Sequence, residues 1–323
     1  MEFSEGNQQQ LRVLQYNLQS GVGIDGKYDL SRSCRVINAL DVHVAALQEV
    51  SKRCERDCYG KPLQDPTLRD ADQPSEIERL TKKTSVFYSK TEDMGGEFGT
   101  AVLVDPRRCH LKSSQVLRLK TWETHHKSNL FFGKLPQVAI VCRVRPSGFS
   151  RDVLFVGTHL GCDASGCEQA AEMEEVLDWV EQLKDNANEE ENSEPKGIQS
   201  GNRSPSLPLH VVIAGDMNAP GFFKAVKVPV RRGYKDAWLD SRSRKAERKD
   251  SLAVSESDSE SRRSCCPCRN FRRRGATFRS DMPLTRLDYI FISPGLRTVS
   301  AQVVQSKASD HFPLLCVLEE KRN

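Results

Sequence analysis

Six short apolar segments of this chain each carry a carboxylate, amide or imidazole at one end, and this recurrence constrains the fold more than any other feature. Leu11 to Tyr16 is apolar at alternate positions and stops at Asn17. His43 to Leu47 runs into Gln48-Glu49-Val50, and Val153 to Gly157 into Thr158-His159-Leu160. Farther on come Gly215-Asp216-Met217-Asn218, Leu287-Asp288-Tyr289-Ile290-Phe291 and Ser309-Asp310-His311-Phe312-Pro313-Leu314. Such runs read as buried strands. Polar groups at their ends are costly to bury unless they are paired or bound to metal. Drawn from distant parts of the chain, they point to one cleft assembled by folding. The site candidates are Asn17, Glu49, His159, Asp216, Asn218, Asp288, Asp310 and His311.

Helices alternate with these strands. One is expected over Leu30 to Leu40, with Val36, Ile37 and Leu40 on one side. A second is expected over Ser75 to Lys83, where Ser75 and Glu78 have capping-box spacing. The clearest runs from Glu168 to Leu183, where Met173, Val176, Leu177, Val180 and Leu183 form a stripe that packs on a sheet. Phe98 to Val104, His110 to Leu119 and Val138 to Val144 read as further strands.

Two stretches interrupt this order. Asp185 to Pro208 is rich in Glu, Asn, Ser, Gly and Pro and is expected to be a flexible loop. Ser241 to Gly275 holds eleven Arg or Lys against five Asp or Glu, about +6 by itself. The whole chain carries only +4, so its overall charge does not argue for nucleic acid. The basic stretch favours, weakly, a polyanion contact. Its Cys265, Cys266 and Cys268 lack the matching second pair of a zinc site and read as exposed thiols. No run approaches the roughly 18 apolar residues that span a bilayer. The first ten residues are polar, and the eleven cysteines lack the spacing of a secreted scaffold. The expected compartment is therefore reducing and intracellular, cytoplasmic or nuclear.

The motifs in chain order are Asn17, Gln48-Glu49, Thr158-His159-Leu160, Gly215-Asp216-Met217-Asn218, Leu287-Asp288-Tyr289 and Ser309-Asp310-His311. This order resembles the endonuclease/exonuclease/phosphatase superfamily, the DNase I-like metal-dependent phosphoesterases. The resemblance runs from about Leu11 to Leu318. It implies an α/β fold: one domain over about 11–320, a four-layer sandwich of two packed mixed sheets with outer helices. The stretches at about 185–208 and 241–275 become surface insertions, tolerated because loop closure costs rise slowly with length.

The resemblance also implies roles. Mg²⁺, with Mn²⁺ as an alternative, takes oxygen ligands, here Glu49 and Asp310. Asn17 either shares that ligand sphere or holds Glu49 through its amide. Asp216 orients or deprotonates the attacking water, and Asn218 donates to a phosphate oxygen. His311 contacts the phosphate as a cation or transfers a proton. Asp288 is its expected partner, fixing the tautomer and favouring imidazolium; the rival reading of Asp288 is a salt bridge to Arg286. His159 is a second phosphate-binding or leaving-group imidazole, with Glu97 a guess for its partner. His125 and His126 read as surface histidines.

Gln19 stands where AP endonucleases of the superfamily carry an acid, and Ala219-Pro220 and Asp288-Tyr289 depart from the inositol phosphatases. The expected reaction is hydrolysis of a phosphodiester, ahead of a phosphomonoester, with nucleic acid and lipid or small-molecule substrates level. The competing reading is a catalytically silent binding module of the same fold, although all eight expected groups are present.

Overall fold

Residues 10–57, 60–120, 136–193, 209–243 and 275–321 are described in this computed structural model. Their strands pair into two sheets of six. The first has the order β11 (Leu296–Val303), β12 (Leu314–Glu320), β1 (Gln10–Asn17), β2 (Val44–Lys52), β4 (Glu97–Val104), β3 (Thr84–Thr91). The second has β5 (Cys109–Arg118), β6 (Val138–Pro146), β7 (Val153–His159), β8 (His210–Asp216), β10 (Asp288–Ile292), β9 (Lys235–Asp236). Each sheet is built around one parallel pair, β1 with β2 and β7 with β8, flanked by antiparallel neighbours.

Alternation of side chains assigns each strand face to a layer. Val13, Ala46, Val102, Ile140, Phe155, Val212, Ile290 and Leu314 fill the space between the sheets. Gly157 permits their close approach, because a Cβ there would meet Val102 Cγ2 at 2.7 Å. On the outer face of the first sheet, Leu14, Leu47 and Leu103 pack with Leu30, Cys34 and Ile37 of α1 (Leu30–Ala39) and Ile77 of α3 (Gln73–Thr81). On the outer face of the second, Val156, Ile213 and Phe291 pack with Met173, Val176 and Val180 of α4 (Cys167–Ser193) and with Ala225 of α5 (Lys224–Arg231). A short helix, α2 (Pro66–Arg69), lies between β2 and α3. The result is the four-layer α/β sandwich.

Several local expectations are corrected. The buried face of α1 is Leu30, Ser33, Cys34 and Ile37; Leu40 packs half-buried against the same cluster, as expected, while Val36 is only half-buried. Helix α3 starts two residues before Ser75. Its cap is Asp72, whose carboxylate accepts from Ser75 N at 3.2 Å, with proline in the first turn. Helix α4 continues through Ser193, so 185–193 is helical rather than loop. Once nucleated, a helix propagates cheaply through good formers such as Ala187 and the glutamates at 189–191. Residues 194–208, most of the basic stretch (244–274) and His125-His126 lie outside the described residues.

Candidate active site

Both parallel pairs end at the same edge of the sandwich. Asn17 and Glu49 come from the ends of β1 and β2, His159 and Asp216 from those of β7 and β8. Asp288 opens β10, directly opposite Asp216. Asp310 and His311 precede β12, which pairs with β1. The structure thus brings all eight predicted residues to one edge.

Hydrogen bonds lock them in place. Gln15 and Gln48 form a reciprocal amide pair beneath the site. Gln15 Nε2 also donates to Asp288 Oδ1 at 3.1 Å, and Gln48 Nε2 to the Thr158 carbonyl at 3.1 Å, tying the sheets together. Asn17 Nδ2 donates to Glu49 Oε1 at 3.0 Å and to Asp216 Oδ2 at 3.1 Å, while its oxygen accepts from Gln19 N. Ser309 Oγ donates to the Asn17 carbonyl at 2.7 Å and accepts from His311 N, and Gln19 Oε1 accepts from Asp310 N.

Backbone strain collects here. Glu49 has φ +55°, at a bulge where the pairing of β2 with β4 slips between Leu47 and Val50. Gln19, Ser20 and Asn218 also have positive φ. Such conformations are uncommon for residues with a Cβ and persist where surrounding structure enforces them. The bulge takes Glu49 out of the regular alternation and leaves it half-buried, beside strand-mates that are fully buried.

His311 Nδ1 donates to Asp288 Oδ2 at 2.9 Å, and its Nε2 lies 3.6 Å from Asp216 Oδ2. Burial disfavours imidazolium, but Asp288 and Asp216 outweigh it and hold the His311 pKa well above its ordinary value. Asp216 is raised by burial, which His311 opposes and Asp288 reinforces. The salt-bridge reading of Asp288 falls, because Arg286 turns to Asp236 at 2.5 Å and lies over the Tyr289 ring.

On the other side of Asp216, His159 Nε2 sits 3.7 Å from Oδ2. Burial, with Lys90 and His311, depresses the His159 pKa well below its ordinary value, so this ring is neutral. Asn218 Nδ2 donates to His159 Nε2 at 3.0 Å and to the Leu160 carbonyl at 2.9 Å. In this arrangement the Asn218 amide orients the imidazole. Glu97 is not the partner of His159; it pairs with Lys52 at 2.6 Å.

Sequence reasoning missed Glu172, which is fully buried on α4 and accepts from Gly161 N at 2.7 Å. Burial pushes it up to about 8. A signal existed: Gln169, Glu172, Met173 and Val176 follow the i, i+3, i+4, i+7 rhythm of a buried helix face. It also missed the wall beside Glu49, where Cys54, Met94 and Phe98 form a small separate cluster with Leu63.

Two donor sets could hold a cation. Asp216, Asp288 and His311 bring ligand atoms within 4.8 Å of one another, a possible metal site. Glu49 and Asp310 are the more open pair. Burial pushes Asp310 up to about 6, with His311 opposing and Glu49 adding to the rise.

The family model for the endonuclease/exonuclease/phosphatase family matches residues 14–311. The chain belongs to the endonuclease/exonuclease/phosphatase family. It is therefore a phosphoester hydrolase, of a family that is generally dependent on a divalent metal. Solved structures share the DNase I-like fold. A family member from Beutenbergia cavernae is 18% identical, with TM-score 0.62 over 97% of this chain and 72% of that one. The catalytic domain of human nocturnin, with bound sulfate, is 19% identical, with TM-score 0.59 over 99% and 97%. A mannosyl-6-phosphatase from Bacteroides thetaiotaomicron is 15% identical, with TM-score 0.61 over 95% and 99%. No curated protein sequence matches the chain significantly. Among the described residues no helix is long and apolar enough to cross a membrane.

Proposed function

We propose that this hydrolase is a Mg²⁺-dependent phosphodiesterase, with Mn²⁺ able to substitute, formed by one domain over about 11–320. The observation that carries the reading is Asp216 Oδ2, set between the Nε2 atoms of His311 and His159 at 3.6 and 3.7 Å. A carboxylate with a raised pKa is a better base, and a protonated imidazole beside it suits a phosphate anion.

Glu49 and Asp310 fit a hard cation: both offer carboxylate oxygens, both are half-buried at a cleft, and they repel one another without one. The Asp216–Asp288–His311 trio fits it less well, since all three are buried and Mg²⁺ keeps several waters. Asn17 then serves by holding Glu49 and Asp216, as its nitrogen faces both. A bound cation would neutralise developing charge on the phosphoryl oxygens.

The residues account for the protons. Asp216 takes one from the attacking water as the new O–P bond forms. His311 gives its Nε2 proton to the departing ester oxygen as the old P–O bond breaks, and the Asp216 proton resets His311. The neutral His159, held by Asn218, borders the phosphate. The seven described cysteines are free, which supports a reducing compartment, cytoplasmic or nuclear. A weak polyanion contact through 241–275 would show as a salt slope that flattens when 244–274 is deleted.

The test is hydrolysis across DNA, RNA, sphingomyelin, sugar phosphates and a chromogenic phosphodiester, with Mg²⁺, Mn²⁺ or EDTA. Turnover that needs metal and is lost in Glu49→Ala and His311→Ala supports the reading. Turnover untouched by EDTA or by either substitution overturns it.

A further inference from the structure

A cavity of about 270 Å³ opens directly beside Glu49 and Asp310. One side of its lining is polar: Gln19, Ser20, Glu49 and Asp310. The rest sets an apolar group, Val22, Cys54, Leu63, Leu68, Met94 and Phe98, beside Ser51, Arg56 and Asp57. The chain between β2 and α3 builds this wall. Glu55 N and Arg56 N both donate to the Met94 carbonyl, Leu63 N to the Glu55 carbonyl, and Arg53 N to the Ala71 carbonyl. The Cys54 thiol meets the Glu97 carbonyl at 3.3 Å. The wall is thus fastened to the β3–β4 turn by backbone bonds and is preformed.

On the phosphodiesterase reading above, one ester group of the scissile phosphate must leave the metal-side carboxylates in some direction. We propose that this cavity is the subsite for that group, and that it selects a compact apolar one, an aromatic ring or a short alkyl chain. Three carboxylates, Glu49, Asp57 and Asp310, line the cavity against one guanidinium, Arg56. With a cation held by Glu49 and Asp310, the remaining Asp57 and Arg56 cancel, so the cavity has no surplus cationic side chain to draw a second phosphate through it. Buried Met94, Phe98 and Leu68 offer no hydrogen bonds to a sugar. They reward apolar surface removed from water. Leu63, half-buried at the cluster's edge, is the residue to vary without disturbing the core.

The experiment compares p-nitrophenyl phosphodiesters whose second ester is methyl, n-butyl or phenyl, with Mg²⁺, alongside a single-stranded oligonucleotide. The subsite predicts kcat/KM at least tenfold higher for butyl or phenyl than for methyl, and the two apolar arms separate alkyl from aryl selection. Leu63→Glu should abolish the preference through KM, and Leu63→Met should keep it. Equal kcat/KM across the three esters, a preference that survives Leu63→Glu, or a higher kcat/KM for the oligonucleotide overturns the subsite while leaving the phosphodiesterase intact. If no ester is hydrolysed, the phosphodiesterase reading fails by itself. Calorimetry with phenylphosphonate and methylphosphonate then decides the subsite: tighter phenyl binding that Leu63→Glu removes upholds it, and equal or absent binding overturns it.

Discussion

The two ends of the sandwich treat buried carboxylates in opposite ways. At the closed end, Asp105 follows β4 and Asp152 precedes β7. Asp105 meets Lys83 at 2.6 Å and Arg107 at 2.7 Å, while Asp152 meets Lys112, Arg143 and Arg145 at 2.8, 2.7 and 2.5 Å. Burial alone would raise both acids, but these cations outweigh it and hold both below the ordinary carboxylate range. At the open end, Asp216, Asp288 and Asp310 crowd around His311, with Glu49 beside Asp310, and Asp216 and Asp310 are raised. Asp216 is as inaccessible to solvent as Asp105 and Asp152 yet shifts the opposite way, so the partner, more than depth, decides a carboxylate's state. Paired charge serves stability; crowded like charge stores a need for a cation and a substrate.

The largest effect that tests this contrast is on catalysis. Asp216→Asn and His311→Ala should each lower kcat by about 10²–10⁴-fold, Asp216→Asn with little change in melting temperature and His311→Ala with a fall, because it strands the buried Asp288, read by steady-state kinetics beside calorimetry. Next comes stability at the closed end. Asp105→Asn strands Lys83, whose side chain is 2% exposed, and should cost about 3–5 kcal/mol in a denaturant titration. The same change at the open end should have the opposite sign. Asp310→Asn removes a repelled carboxylate and should stabilise the metal-free protein by about 1 kcal/mol, while abolishing the rise in melting temperature that Mg²⁺ gives the wild type. Destabilisation by Asp310→Asn in EDTA would break the comparison.

Acid should act through the closed end. Asp105 and Asp152 have folded pKa values below their unfolded ones, so the unfolded chain binds more protons at low pH. Their stabilisation is complete above about pH 4 and is lost as pH falls further. Asp105→Asn should flatten the stability profile in that window and leave its slope near neutrality unchanged.

The open end was the more legible of the two in sequence. Its residues close short apolar runs, so Asn17, Glu49, His159 and Asp216 announce themselves as strand ends. The Asp288–His311 pair follows from motifs on β10 and before β12. The closed end has no such signature: Lys83, Asp105 and Asp152 look like ordinary turn charges until the fold joins them. Helix α4 hid Glu172 for a related reason, since one acid on an apolar stripe reads as a boundary residue. The cavity wall was invisible because Cys54, Met94 and Phe98 meet only through the clamp on the β3–β4 turn. The start of α3 was misplaced because two caps competed, and Asp72 with its proline in the first turn won over Ser75.

The smallest effect sharpens the contrast by testing redundancy. Asp152 is 1% exposed and has three cationic partners, so losing one leaves the carboxylate neutralised. Lys112 is itself 38% exposed, and its ammonium returns little desolvation cost when removed. Lys112→Ala should therefore cost only about 0.5 kcal/mol, against several for Asp105→Asn, where the stranded group is buried. A double-mutant cycle with Arg145→Ala reads the coupling directly. If the cation triad shares the charge, the double variant costs more than the sum of the singles, because each remaining cation carries more of the load. Strict additivity would mean that Arg143 alone holds Asp152, and that the closed end is paired one to one rather than over-paired.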